Sequence, residues 1–322
     1  MKRAFVYVTD EIGFELARHS AVSLALSQSE PCDIHIFCYQ FSPRVPRRFS
    51  DAMADLRANL IFHDIGDTAV EEHQTHGHVT TPTLLKPLAV GKLVNDYDRI
   101  VYLDNDILVF DDFRIEKINF GRTPIAAVID MDVSDTGWLR HSTGYRDVTG
   151  TSFLGGYFNA GVMVFESKNL DLKEISEKYA DALDHHDIAC RYKIDCTSID
   201  QCALNVIFEN NWTRLPASYN MQAGAKFTSE WKTTMVRHYC GARKFLPVSL
   251  FRNDGRDVRY LNRIRHAIGL PVTRYPFLYE LPFQVNAVRK YRSDALIRRL
   301  LRALLARNLT ATVLNEVWRP AQ

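Results

Sequence analysis

The sequence has little that would favour a membrane or a nucleic acid. No window approaches the ~18 uninterrupted apolar residues that a membrane-spanning helix needs. The apolar run at the N-terminus meets Thr9-Asp10-Glu11 too early for a signal peptide. Lys plus Arg number 40 and Asp plus Glu 38, a net charge of +2, so we expect no nucleic-acid partner.

Recognisable cysteine motifs are also missing. The six cysteines form no CxxC pair and show no zinc-type Cys/His spacing. The sequence therefore predicts that they pack as small buried hydrophobic residues in a thiol-reducing compartment. We accordingly expect a cytoplasmic protein.

What is present is an alternation of strand and helix patterns in a chain of 322 residues, of which 46% are hydrophobic. Short runs rich in β-branched and aromatic residues predict strands. Apolar residues at helical spacing predict helices between them, one of them over 84–95. This order is typical of an α/β domain with a mainly parallel sheet. The predicted strands are Ala4–Val8, Asp33–Tyr39, Leu60–Phe62, Arg99–Leu103 and Ile125–Ile129.

A polar stretch over 63–81 carries His73, His76 and His78. The histidines could form a metal cluster, but they lack the i, i+4 or paired spacing of known sites. We therefore interpret this stretch as a solvated loop.

The strongest local motif is Asp104-Asn105-Asp106, which directly follows the predicted strand over 99–103. Two carboxylates separated by one residue at a strand end can converge on one cation, and hard oxygen ligands suit Mg²⁺ or Mn²⁺. The carboxyl ends of parallel strands are also where open α/β sheets bind ligands. Alone, however, a D-x-D turn arises often by chance.

Further blocks follow the D-x-D motif in a fixed order. They are FNAGV (residues 158–162), DQ-x-x-LN (200–205), Tyr219-Asn220 and HYCG-x-x-K (238–244). With YLDxD, they make residues 4–246 resemble glycosyltransferase family 8. That family includes bacterial lipopolysaccharide galactosyl- and glucosyltransferases and is related to glycogenin. The resemblance implies a GT-A fold and transfer of a hexose from a UDP-sugar to a glycan or glycolipid acceptor. It also implies retention at the anomeric carbon.

The resemblance further implies a metal and diphosphate site. Asp104, Asp106 and His238 would bind Mn²⁺ (or Mg²⁺), and imidazole favours the softer Mn²⁺. Lys244 would reach the diphosphate as a point charge, and Gly241 would let the phosphates approach the backbone.

The other residues implied by the resemblance surround the donor. Val8, through its backbone, and Asp10 would bind uracil, although Asp10 could equally cap a helix. Asn105 would lie beside the ribose. The sugar pocket would be lined by a carboxylate, an asparagine and an acid–amide pair: Asp130, Asn159, Asp200 and Gln201. UDP-galactose and UDP-glucose are the donors we expect.

Gln201 bears on the mechanism, because it occupies the place where a nucleophile would be expected. Double displacement needs a carboxylate nucleophile, and an amide is a poor one. The sequence therefore favours front-face attack. The metal and Lys244 would stabilise the leaving UDP, and a β-phosphate oxygen would take the acceptor proton.

Several positions depart from the family pattern. Pro87 stands where many members have a diphosphate-binding arginine; its neighbour Lys86 could supply that charge or could face solvent from a helix. Cys202 replaces the last carboxylate of the family's DQD. The usual KPW is Lys244-Phe245-Leu246 here, and Ile12 replaces an asparagine near the uracil site.

These departures keep two other functions open. One is a catalytically weak nucleotide-sugar-binding protein on the same scaffold, which the complete metal triad argues against. The other is a nucleotidyltransferase, but TDEIGFE (residues 9–15) lacks the Gly-rich, basic loop expected after the first strand.

The C-terminal end changes character. We expect residues 1–246 to form the GT-A domain and 247–322 a helical, basic extension. At ~100° per residue, the leucines of the segment 289–307 lie on the helix face opposite Arg292, Arg298, Arg299 and Arg302, whereas Arg307 lands on the apolar side. The helix could dock on the anionic inner face of a membrane, or its apolar side could pack on the catalytic domain or a second subunit.

Overall fold

The computed structural model describes residues 1–66, 81–130, 156–190, 196, 198–226, 228–241, 244–250 and 252–285. Two sequence-based predictions lie outside these ranges. They concern the loop that carries His73, His76 and His78 and the basic amphipathic helix over 289–307.

The strands form two sheets within the described residues. The larger has the order β3-β2-β1-β4-β7-β6-β8 and the smaller β5-β10-β9. In the larger sheet only β7 runs antiparallel to its neighbours, so the predicted mainly parallel α/β fold is confirmed. The strands are β1 (Arg3–Thr9), β2 (Cys32–Cys38), β3 (Ala58–Asp64), β4 (Arg99–Leu103), β5 (Ile107–Val109), β6 (Ile125–Ile129), β7 (Phe158–Glu166), β8 (Trp212–Arg214), β9 (Met221–Gln222) and β10 (Val236–His238).

Helices cover both faces of the larger sheet. One predicted helix, over 84–95, is wrong: the structure has two short helices there, joined at Leu85. Pro87 explains why the second of these helices begins at Lys86, because proline lacks an amide hydrogen and favours the first turn of a helix. The helices are α1 (Phe14–Ser27), α2 (Arg47–Asp55), α3 (Thr81–Leu84), α4 (Lys86–Gly91), α5 (Leu172–Asp184), α6 (His186–Ala189), α7 (Ile199–Ile207), α8 (Ser229–Thr233) and α9 (Gly255–Ala267).

Strand β1 shows how the core is divided. Its side chains alternate between the two faces, as a pleated strand requires. Phe5 and Tyr7 join the cluster that contains residues of α1, α2 and α9. Val6 and Val8 join the cluster that contains residues of α4, α5 and α7. Both faces are therefore buried, which explains the continuous apolar run in the sequence.

Strand β7 brings the start of an antiparallel strand to the edge of the sheet where the parallel strands end. Because it is antiparallel, it begins where β4 and β6 end. Its register with β6 shifts abruptly: Ala127 pairs with Met163, but Val128 pairs with Asn159. Residues 160–162 therefore bulge out of that pairing. Such a bulge frees backbone groups to bond with side chains instead of with a strand.

Helix α9 is tied to the small sheet by a buried ion-pair cluster. Arg237 of β10 is fully buried and donates to both carboxylate oxygens of Asp254 at 2.9 Å and to Asp257 at 2.5 Å. The same two aspartates form the capping box that begins α9. Tyr260 of α9 also donates to the Ser23 carbonyl of α1 at 2.9 Å.

No helix in the described part of the chain is both long enough and apolar enough to cross a membrane.

A buried histidine pair predicts acid sensitivity of the fold. His35 lies 2.8 Å from His63 and 2.9 Å from the Tyr97 hydroxyl. Burial and the neighbouring His63 lower the pKa of His35 to about 4, although Asp33 and Asp96 oppose the shift. In the unfolded chain this histidine has a pKa near 6.5, so it binds a proton at mildly acidic pH. In the folded chain His35 stays neutral at that pH. Stability must therefore fall as the pH drops through that window.

We expect the free energy of unfolding to decrease by about 2 kcal/mol between about pH 7.5 and about pH 5 through His35 alone. Urea unfolding at both pH values measures this. In His35→Gln the difference between the two pH values should shrink, whereas it should persist in the control His266→Gln on α9. An unchanged difference in His35→Gln would contradict the assignment.

Candidate active site

Three strands of the larger sheet end in an aspartate at the same edge. Asp10 follows β1, Asp104 follows β4 and Asp130 follows β6. A cleft of about 480 Å³ opens there, large enough for a small ligand. All thirteen residues that the sequence analysis assigned to metal, donor or catalysis line this cleft. The structure therefore brings them together; their roles remain predictions.

The predicted metal ligands form a compact triad. One ligand atom each from Asp104, Asp106 and His238 lies within 4.8 Å of the others. His238 Nε2 is 3.2 Å from Asp106 Oδ1 and 3.7 Å from Asp104 Oδ2. Two carboxylates and one imidazole are a donor set that suits a divalent cation such as Mn²⁺.

A chain of amides orients the His238 ring. Its Nδ1 donates to Asn220 Oδ1 at 3.0 Å, and Asn220 Nδ2 donates in turn to Asn159 Oδ1 at 2.9 Å. With the proton on Nδ1, Nε2 presents its lone pair to the carboxylates, as a metal ligand must. The sequence analysis assigned no role to Asn220. Its signal was the Tyr219-Asn220 block that precedes HYCG-x-x-K.

The bulge of β7 supplies backbone groups to the site. Asp104 N donates to the Gly161 carbonyl at 2.8 Å, and Gly161 N donates to Asn159 Oδ1 at 3.0 Å. A Cβ at position 161 would lie 2.8 Å from His238 Nδ1 and 2.9 Å from Asp104 Oδ2. Only glycine therefore allows the strand to pass directly behind the triad.

Lys244 faces Asp106 across the cleft, with Nζ 2.5 Å from Oδ2. Burial by itself raises the pKa of Asp106, but Lys244 and His238 outweigh it and hold the pKa well below its usual range. Burial likewise lowers the pKa of Lys244, and Asp106 more than reverses this. Both groups are therefore charged at neutral pH.

Lys86 is buried rather than facing solvent, with 2% of its surface exposed. Its Nζ lies 2.7 Å from Asp200 Oδ2 and 3.1 Å from Asp104 Oδ1, and it donates to the Ala160 carbonyl in the bulge at 3.3 Å. Burial alone would lower the pKa of Lys86, but the two carboxylates raise it above its usual value. The ammonium therefore bridges the metal triad and the acid–amide pair of α7.

Replacing Lys86 with methionine should be strongly destabilising. It removes the cation between Asp104 and Asp200, and breaking a buried ion pair typically costs about 3 kcal/mol or more. Urea unfolding measures the loss. Lys173→Met, in which the lysine is exposed on α5, should change stability by less than about 0.5 kcal/mol. Equal stability of the two variants would show that the bridge is energetically unimportant.

The Gln201 side chain is held at both ends of its amide. Nε2 donates to Asp130 Oδ2 at 2.6 Å, and Oε1 accepts from the Ala160 amide at 3.1 Å. Asn159 Nδ2 lies 3.4 Å from the same Asp130 oxygen. The amide orientation is therefore fixed, and Asp130 accepts from two neutral donors.

The end of β1 and the D-x-D turn are joined by Asn105, whose Nδ2 donates to the Val8 carbonyl at 3.0 Å. Asp10 Oδ1 accepts from Gly13 N at 2.7 Å, in the turn before α1. The alternative interpretation of Asp10 as a helix cap is wrong, because the N-cap of α1 is Gly13 and receives no side-chain hydrogen bond. Asp10 instead stabilises the turn before the helix and also lines the cleft. Gly241, with φ of +83°, occupies the left-handed region that favours glycine.

The chain is similar to several known proteins. A family model described as glycosyl transferase family 8 matches residues 8–245. General stress protein A of Bacillus subtilis is 22% identical over 250 residues, or 71% of this chain and 82% of that protein. Lipopolysaccharide 1,2-glucosyltransferase of Escherichia coli strain K12 is 26% identical over 158 residues, which cover 46% of this chain and 44% of that enzyme.

Solved structures share the fold at low sequence identity. The galactosyltransferase LgtC, in complex with donor and acceptor sugar analogues, has a TM-score of 0.62 and 19% identity. The alignment covers 84% of this chain and 97% of that one. The glycosyltransferase GlyE of Streptococcus pneumoniae TIGR4 has a TM-score of 0.55 and 18% identity, covering 83% and 63%. The fold is therefore that of GT-A glycosyltransferases.

Proposed function

Because the chain belongs to glycosyltransferase family 8, we propose that this glycosyltransferase moves a hexose from a UDP-sugar to a glycan or glycolipid acceptor with retention. The observation that carries the proposal is the Asp104–Asp106–His238 triad with Lys244 beside it in one cleft. A transferase that expels a diphosphate needs positive charge where the leaving group develops its own negative charge.

The residues present fit a divalent metal. Two carboxylate oxygens and an imidazole nitrogen with a fixed tautomer supply three ligands, and the imidazole favours Mn²⁺ over Mg²⁺. When bound, such a cation supplies Lewis-acid stabilisation of the leaving diphosphate. Asp104 and Asp106 would hold the cation, and Asn220 keeps the His238 ring in the orientation that ligation would need.

Lys244 adds the second positive charge. Its Nζ donates to Asp106 Oδ2. A diphosphate in the cleft would offer it more negative oxygens, and the ammonium can turn toward them because its stem has several rotatable bonds. Gly241, three residues earlier, keeps a side chain away from this part of the cleft. The backbone end of β1, with Val8, Asp10 and Asn105, is the place for uracil and ribose.

The polar network around Asp130 is the proposed sugar pocket. Asp130, Asn159, Asp200 and Gln201 present carboxylate and amide groups, which are the groups that hydrogen-bond sugar hydroxyls. Their geometry is pre-set: Lys86 holds Asp200, and the bulge holds Gln201. UDP-galactose and UDP-glucose are the donors we propose. The named activities of the LgtC and lipopolysaccharide glucosyltransferase relatives support this choice.

We propose front-face attack as the mechanism. Gln201 is neutral, and its oxygen accepts from a backbone amide, so it is poorly disposed to attack an anomeric carbon. Asp200 is paired with Lys86. These residues instead surround an oxocarbenium-like sugar with negative and dipolar groups. The acceptor proton would pass to a β-phosphate oxygen of the departing UDP.

Gln201→Glu tests this mechanism. The substitution sets an oxygen in place of the amide donor, 2.6 Å from Asp130 Oδ2. Two carboxylates this close disfavour double ionisation, so one of them will hold a proton at a raised pKa. We expect turnover to fall about 10-fold or more and to recover partly as the pH is lowered, because the proton restores the donor. Steady-state kinetics over a pH series measure this.

Intact-mass measurement completes the mechanistic test. We expect no glycosyl adduct on the wild-type protein during turnover. An adduct on wild-type Gln201 would overturn front-face attack and establish a covalent intermediate.

Release of UDP tests the proposed function itself. The full chain is incubated with UDP-glucose, UDP-galactose or UDP-GlcNAc and Mn²⁺, and free UDP is measured. We expect release from at least one UDP-hexose, and none after chelation of the metal. Calorimetric binding of UDP without any release would instead favour a nucleotide-sugar-binding protein. If the chain neither binds UDP nor releases it, the assignment of the cleft is wrong.

A further inference from the structure

A second cluster of metal-ligating side chains lies near the start of α7, where Ser198 N donates to Cys196 Sγ. His186, Cys190 and Cys196 each offer a ligand atom, and these atoms lie within 4.8 Å of one another. All three residues are buried. None of them takes part in the cleft described above.

A further thiol lies beside this group. Cys190 and Cys202 both act on the pKa of the Cys196 thiol, which makes them its neighbours. Cys202 is fully buried on α7, and its Sγ lies 3.1 Å from the Tyr157 hydroxyl. The Cys202 thiol thus neighbours Cys196, although its Sγ lies outside the group of ligand atoms that are all within 4.8 Å of one another. A shift of this side chain would bring together three sulfur atoms and one imidazole. The local geometry assists this: His186 and Cys190 are one helical turn apart, and the Cys190 amide donates to the His186 carbonyl at 2.7 Å.

We propose that His186, Cys190, Cys196 and Cys202 bind one structural Zn²⁺ ion. Cys₃His is an established ligand set for structural zinc, and a closed, buried, four-ligand site is typical of that role. Thiolates prefer zinc, whereas the two carboxylates of the cleft prefer Mg²⁺ or Mn²⁺. The two sites are therefore selective for different ions. On binding, each coordinating thiol gives up its proton to solvent and its sulfur lone pair to the ion.

The proposal goes beyond the expectation that these cysteines pack as small buried residues, which the structure bears out for Cys190, Cys196 and Cys202. The sequence spacing, H-x₃-C-x₅-C-x₅-C, has no CxxC and so gave no zinc signal. The site is assembled by tertiary structure: α6 contributes the first two ligands, the connection to α7 the third, and α7 the fourth. Cys202, which departs from the family's DQD motif, thereby gains a function of its own.

The zinc site would affect catalysis by holding in place the helix that carries Asp200 and Gln201. Cys202 follows Asp200 and Gln201 on α7, and Tyr157, which contacts the Cys202 thiol, begins the approach to β7. Fixing Cys202 to the connection before α7 would hold the helix that carries the acid–amide pair. We describe the four ligands as positioning residues, because none of them contacts the cleft.

Metal analysis of the purified full chain tests the proposal. The protein is dialysed in reducing buffer with zinc, and excess metal is removed. Inductively coupled plasma mass spectrometry should then find about one zinc per chain. Cys190→Ser and Cys196→Ser should lose most of it. Cys38→Ser is the matched control, since Cys38 is also a buried thiol but lies on β2, and it should retain zinc.

Substitution with Co²⁺ gives a second, spectroscopic readout, which the wild type itself already provides. Thiolate ligation should produce an intense sulfur-to-cobalt absorption band that Cys196→Ser loses and Cys38→Ser keeps. Asp106→Asn should keep both the band and the zinc while losing Mn²⁺-dependent transfer. A failure of the zinc site and a failure of the proposed function are thus distinguishable.

Three results would overturn the proposal. One is wild-type protein that takes up neither zinc nor Co²⁺ with thiolate absorption. The second is full zinc occupancy in both Cys190→Ser and Cys196→Ser. The third is a disulfide between Cys190 and Cys196 in peptides from protein purified under reducing conditions. Because the first and third use the wild type, misfolding of a variant does not leave the question open.

Discussion

Asp106→Asn is expected to reduce metal-dependent sugar transfer by at least about 10²–10³-fold, the range found when one electrostatic stabiliser of a transition state is removed. Asp106 is buried and contacts both His238 and Lys244. The amide keeps the shape of the side chain but removes its charge. Both cation binding and the positioning of Lys244 should therefore weaken together, while the fold is retained.

Kinetics with saturating UDP-sugar and a Mn²⁺ series measure this loss, and circular dichroism checks the fold. Asp111→Asn is the matched control, because Asp111 is exposed and lies five residues further along the same segment. The control should transfer sugar at the wild-type rate. Near-normal turnover of the Asp106 variant would show that the metal assignment is wrong.

Gly161→Ala should have the next largest effect, although it adds only one methyl group. That methyl would collide with the His238 ring and with Asp104, and the strand cannot retreat because the Asp104 amide is bonded to the Gly161 carbonyl. We expect Mn²⁺ affinity to fall about 10- to 100-fold, as is usual when the support of a metal ligand is disturbed. Excess Mn²⁺ should restore part of the activity.

Titration with Mn²⁺, followed by calorimetry and by transfer rate, checks this expectation. Gly91→Ala provides the control: its Cβ would meet Leu172 at an ordinary 3.6 Å, so affinity should not change. Unaltered Mn²⁺ affinity in the Gly161 variant would mean that the triad does not hold the ion in the arrangement described.

The sequence was sufficient for the sheet and for the positions of the aspartates that follow its strands; their metal- and sugar-binding roles stay predictions. Asp104 and Asp130 follow strands whose apolar runs are visible in the sequence, and parallel strands must place such residues at one edge. His238 came from the family resemblance and lies where the resemblance implied. These predictions succeeded because they depend on local order along the chain.

The remaining features depend on contacts between distant segments. Burial of Lys86 follows from the two carboxylates that face it, and neither is near it in sequence. To predict the contact between Asn220 and His238, one must know that β9 and β10 are neighbours. The bulge at 160–162 arises from a register shift that no sequence pattern in β7 predicts. The thiol cluster is formed in the same way, by helix packing.

The buried pairing of Arg237 with Asp254 and Asp257 has a consequence for the order in which the chain can mature during synthesis. Arg237 and His238 are adjacent on β10, so the strand that carries a metal ligand also carries a cation that has to be neutralised from α9. A ribosome releases β10 well before it releases residues 254–257. Until then the guanidinium, if buried, would lack its partners at a cost of several kcal/mol. The nascent chain should therefore keep β10 undocked, and the metal triad should form only after α9 has left the ribosome.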